Sequence, residues 1–112
     1  MTLSPVQNRA EPVDVRLEAR RARALSGAQA AVSALSKLGV KVELVGSLKA
    51  GRFGYSSDVD LLVIECPRSL KYAIEALVED CLPGLSFDVL YLEDMSPRRA
   101  ALHWEAVGAL RD

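Results

Sequence analysis

The sequence predicts a single α/β (α+β) domain, a short mixed β-sheet flanked by helices in the order αβ(α)βαβα, and three observations carry that prediction. Apolar runs with strand character occur at VKVELV, at LLVI and at FDVLYL. Stretches with apolar residues three and four apart precede the first run and separate the second from the third, which is the spacing of helices that pack on a sheet. The chain has 112 residues, half of them apolar, which suffices for one core and is short for two ordinary domains.

Residues 1–12 carry Pro5 and Pro12 among mostly polar residues without a period, and are read as a flexible N-terminal arm ahead of a folded domain over residues 13–112. From Val13 to Leu38 apolar residues recur at Leu17, Ala24, Leu25, Ala28, Ala31, Val32, Leu35 and Leu38, one face of a long helix. Gly39 is placed to stop it, and Ser26-Gly27 marks a point where its first turns can break. Val40 to Val45 alternates as a half-buried strand, and the residues from Ser47 to Arg52 fit a helical turn. Val59 to Ile64 is almost wholly apolar, as in a strand buried on both faces.

Ser69 is the expected N-cap of a helix reaching Cys81, stopped by Pro83-Gly84. Leu85 to Leu92 forms a third strand containing Asp88, and Ser96-Pro97 opens a last helix to about Leu110. A helix joins the second and third strands, which predicts a parallel pair. A loop joins the first and second, which allows an antiparallel one.

With 14 basic and 15 acidic side chains, the formal net charge of -1 gives no overall attraction to nucleic acid or to an anionic membrane. Direct nucleic-acid binding is therefore not expected. The arginines at positions 16, 20, 21 and 23, and those at 98 and 99, are read as solvated helix faces. Cys66 and Cys81 make no disulfide framework, no run is long enough to span a membrane, and no secretory leader is recognisable. The expectation is a soluble, cytoplasmic protein.

The chemistry concentrates over residues 46–60, GSLKAGRFGYSSDVD. Asp58 and Asp60 stand two apart at the head of a strand, so both carboxylates point to one side of the sheet and repel unless a cation lies between them. Asp88, in an otherwise apolar strand, is read as a buried carboxylate that reaches the same cluster from a neighbouring strand. Gly46 lets the backbone approach a ligand closely. The Ser47 hydroxyl and the N–H groups of the turn can cradle phosphate, with Lys49 and Arg52 adding positive charge. His103 and Trp104 are read as packing or surface residues of the last helix, and Tyr55 as a loop-tip residue, exposed or stacked on a base.

Gly46-Ser47, the Asp58-x-Asp60 pair in SSDVDLLV and the later Asp88 together resemble the nucleotidyltransferases of the DNA polymerase β-like superfamily, in particular the minimal nucleotidyltransferase domains. The resemblance runs from Val13 to Leu110 and departs from the family pattern at Ala50, where relatives often carry Arg. It implies transfer of a nucleoside monophosphate from ATP to a hydroxyl. Asp58 and Asp60 would hold Mg²⁺ against the triphosphate, and Asp88 would bind a second Mg²⁺ and position the acceptor's proton. Gly46, Ser47, Lys49 and Arg52 would bind the nucleotide.

It further implies a protein acceptor, a tyrosine of a HEPN-type toxin that this chain would neutralise as antitoxin, with a hetero-complex or homo-oligomer both open. Two alternatives stand beside it: a catalytically weak nucleotide-binding antitoxin that acts by complex formation, and transfer to a small molecule of the aminoglycoside type.

Overall fold

Helix α1 (Val15–Lys37) begins where Asp14 accepts hydrogen bonds from the backbone N–H groups of Arg16 and Leu17, each at 3.1 Å. In the computed structural model, which describes residues 14–103, it is continuous across Ser26-Gly27. The N-terminal arm, Trp104 and the expected end of the last helix near Leu110 lie outside the described residues. The helix stops as the sequence predicts. Gly39 takes a φ of 86°, its N–H bonds to the Ser36 carbonyl at 3.0 Å, and the Val40 N–H reaches back to Leu35 at 2.9 Å. These are the paired bonds that close a helix through a left-handed residue.

Gly27 acts through packing where the sequence suggested a break. It is buried against the end of helix α3 (Ile74–Cys81), and a Cβ added there would lie 2.5 Å from the Cys81 carbonyl oxygen. Gly27→Ala gains about 1 kcal/mol in helix propensity, while overpacking costs about 1–3 kcal/mol. The obstacle is backbone, which cannot swing aside, so overpacking wins. The variant is expected to melt roughly 4 °C or more below the parent in a thermal scan.

Among the described residues the sheet has three strands in the order β1-β2-β3, formed by β1 (Lys41–Val45), β2 (Val59–Glu65) and β3 (Phe87–Tyr91). β1 and β2 are antiparallel and β2 and β3 parallel, as the connections predict. The order of elements is the expected one, with the one-turn helix α2 (Gly46–Lys49) between the first two strands. Alternation along β2 divides its side chains. Val59, Leu61 and Val63 join the main core with residues of α1 and α3 such as Ala28, Leu35 and Val78. Leu62 packs with Val45 in a smaller cluster on the opposite face, joined by Ile64, Leu90, Leu92 and Met95.

Two features differ from expectation. Ser69 does not cap an α-helix: a 3₁₀ segment (Arg68–Ala73) starts after Pro67 and leads into α3 without a side-chain cap. Proline fixes the backbone for a tight turn there, and the Leu70 N–H bonds to the Pro67 carbonyl at 2.9 Å. Leu25 and Leu38, assigned to the buried stripe of α1, are exposed. Ser96 does cap the last helix, α4 (97–103), accepting from the Arg99 N–H at 3.3 Å. Lys71 ties the 3₁₀ segment to the end of β3, with its Nζ 2.6 Å from Glu93 and 4.6 Å from the centre of the Tyr91 ring. No helix among the described residues is long and apolar enough to cross a membrane.

Candidate active site

The parallel register sets the site. Asp60 on β2 pairs with Asp88 on β3, and on the other side of β2 Asp60 pairs with Val45, whose successor is Gly46. Residues paired across adjacent strands present their side chains to the same face. The two carboxylates therefore sit together on the face opposite the main core. Asp60 is half-buried. Asp88 is exposed, which corrects the expectation of a buried carboxylate: it lies near the start of β3, where its face of the sheet is open.

Asp58 completes the group one pleat further along. Its carboxylate accepts a 2.5 Å hydrogen bond from the Ser86 hydroxyl, and the Ser86 carbonyl accepts from the Val59 N–H at 3.0 Å. Ser86 escaped the sequence reading, although the register contained it. Once Asp60 pairs with Asp88, the residue two before each falls opposite its counterpart.

Electrostatics tie the three acids together. The Asp60 carboxyl is raised above its usual range, first by burial, then by the negative charge of Asp88 and next by that of Asp58. His103, on the last described turn of α4, is the one neighbour among the described residues that acts to lower it, and its influence is the smallest of the four. Carboxylate oxygens held under mutual repulsion are the type of ligand that a hard divalent cation takes. Among the described residues no group of three or more His, Cys, Asp or Glu converges closely enough to hold a metal ion. The remaining ligands would then be water and substrate oxygens, the usual arrangement for Mg²⁺.

Gly46 meets Asp60 directly. It has a φ of 78°, and a Cβ placed on it would collide with the Asp60 carboxylate. Only glycine satisfies both demands. Ser47 follows it, half-buried in the single turn of α2, with its carbonyl accepting from the Arg52 N–H at 2.8 Å. Lys49 and Arg52 are exposed. Lys49 lines a groove between α1 and the edge strand β1 with Leu25, Val32 and Leu44, a lining that contains none of Asp58, Asp60 and Asp88.

The loop between α2 and β2 is held by α1. Phe53 is 1% exposed and anchors the loop in the core. Arg21 Nε donates to the Phe53 carbonyl at 2.8 Å. Arg20 donates from Nε to the Gly54 carbonyl at 3.3 Å and from Nη2 to the Ser57 carbonyl at 3.1 Å, and its guanidinium lies 5.2 Å from the centre of the Phe53 ring. These two side chains are half-buried, so the reading of the arginines as solvated helix faces does not hold for them. Tyr55, exposed at the tip, donates to the Asp14 carboxylate at 2.7 Å.

Searches of curated proteins and of solved structures each give no significant match. A family model described as Nucleotidyltransferase domain matches residues 25–103, a span that holds Gly46, Ser47 and all three aspartates. On that match, over more than half of its length, and on the glycine-serine turn set against paired aspartates, the chain belongs to the nucleotidyltransferase domain family.

Proposed function

We propose that this chain transfers a nucleoside monophosphate from ATP to the hydroxyl of a tyrosine on a partner protein, and so acts as the antitoxin of a HEPN-type toxin. The observation that carries the transfer chemistry is the in-register pair Asp60 and Asp88 lying beside Gly46. Asp58 and Asp60 would hold one Mg²⁺ and Asp88 a second, with water and substrate oxygens as the remaining ligands, and the bound ions supply charge neutralisation for the triphosphate and the leaving pyrophosphate. The Gly46 turn and the Ser47 hydroxyl hold terminal phosphate oxygens, and Asp88, exposed at the open face, positions the acceptor hydroxyl and its proton. Exposure of Asp58 and Asp88 supports a macromolecular acceptor, because an open face admits a side chain carried by another protein. The resemblance to minimal nucleotidyltransferases supports the toxin as that partner.

The test is label transfer. With α-labelled ATP, Mg²⁺ and the candidate toxin, label is expected on the toxin with the native chain and is expected to be lost with Asp58→Asn. A native chain that transfers nothing would overturn the reading. Ala50, where relatives often carry Arg, favours a second reading in which the chain binds nucleotide and neutralises by complex formation. Under that reading Asp58→Asn still silences the toxin.

A further inference from the structure

We propose that Arg20 is a positioning residue for Asp58, an inference that rests on the nucleotidyl-transfer reading above. Its guanidinium bonds both ends of the turn over residues 54–57. One nitrogen holds the Gly54 carbonyl at the entrance and another holds the Ser57 carbonyl at the exit, at 3.3 and 3.1 Å. Inside that turn the Gly54 N–H donates to Ser57 Oγ at 2.9 Å, and the Ser57 N–H returns to the Gly54 carbonyl at 3.2 Å. The clamp therefore closes around a turn that is already hydrogen-bonded to itself.

The Ser57 carbonyl belongs to the peptide that joins Ser57 to Asp58. Fixing its direction fixes the plane from which the Asp58 Cα departs, since the peptide is rigid and only two soft torsions remain per residue. The Asp58 side chain is then held from the other side by Ser86 at 2.5 Å. One anchor acts on the backbone and the other on the carboxylate, so the exposed Asp58 keeps one orientation without being buried. In this loop Arg21 grips the Phe53 carbonyl, five residues before Asp58, and is a loop anchor without that geometric link.

A lysine at position 20 keeps the charge but loses the planar fork that spans two carbonyls. The experiment compares the full-length native chain with Arg20→Lys, Arg21→Lys and Arg23→Ala, measuring binding of Mn²⁺ in the presence of ATP by paramagnetic resonance. Each variant is held well below its own melting midpoint. Arg23 is exposed on α1 and makes none of these loop contacts, so its variant should bind as the parent does. Arg20→Lys is expected to bind Mn²⁺–ATP about tenfold more weakly, the size found when partners of metal ligands are removed, with a smaller change in Arg21→Lys.

Equal binding by Arg20→Lys and the parent would overturn the positioning role and leave the transfer reading standing. Equal weakening in Arg20→Lys and Arg21→Lys would also overturn it, because general loosening of the loop would then suffice. A parent chain that binds no Mn²⁺–ATP overturns both this inference and the function on which it rests.

Discussion

Replacing Asp60 with asparagine should abolish nucleotidyl transfer, by on the order of 10³-fold or more, while raising the melting temperature. The two effects share one cause. Burial, and then the charges of Asp88 and Asp58, hold the Asp60 carboxyl above its ordinary value of 3.8. The folded state thus binds a proton more tightly than the unfolded chain does, so stability falls as pH rises from 3.8 through the raised folded value. At neutral pH the native state carries the whole repulsion. Asparagine keeps the shape and drops the charge, which leaves Asp88 and Asp58 without that neighbour. Melting curves of both proteins from acid to neutral pH, without divalent ions, check this. The stability advantage of the variant should open as pH rises through the acidic window, and the two proteins should approach one another at the acid end.

Gly46→Ala should have the second largest effect, for a steric reason. Alanine at a φ of 78° costs roughly 1–2 kcal/mol in backbone strain, and its methyl group would occupy the space of the Asp60 carboxylate. Since the backbone of α2 is tied by the Ala50 N–H to Gly46 carbonyl bond at 3.0 Å, the movable partner is the aspartate. Pushing it aside by a fraction of an ångström or more misplaces a group at the reacting centre, and such displacements cost about 10²-fold in rate. The expected result is a modest drop in melting temperature together with a large loss of transfer in the labelled-ATP assay. Unchanged transfer would show that Asp60 need not stand where it does.

Much of this architecture was legible in the residues. Strand periodicity, the Gly39 stop, the Ser96 cap and the connections gave three strands of the right sense, and with them the meeting of Asp60 and Asp88. What was not legible depends on distant partners. Arg20 and Arg21 look like any helix-surface arginines until a loop more than thirty positions away supplies carbonyls to bind. Gly27 looks like a helix breaker until α3 arrives against it. Asp88 looks buried from its apolar neighbours, because local composition does not say that the carboxylate face of the sheet is open at that end. The Ser86 contact lay between these cases, since it follows from the register once two strands are known to be parallel.

The alternation along β2 also bears on how the chain folds. Val59 and Leu61 enter the main core while Asp58 and Asp60, interleaved with them, face the other way. If β2 were to pair with either neighbour one residue out of step, both acids would be driven into hydrocarbon and the two apolar side chains turned outward. A slipped sheet would lose its cohesion and its chemistry in the same step. Misregistered molecules should therefore unfold or be degraded and not persist as inactive look-alikes, so the placement of the acids on this strand is also a check on its alignment.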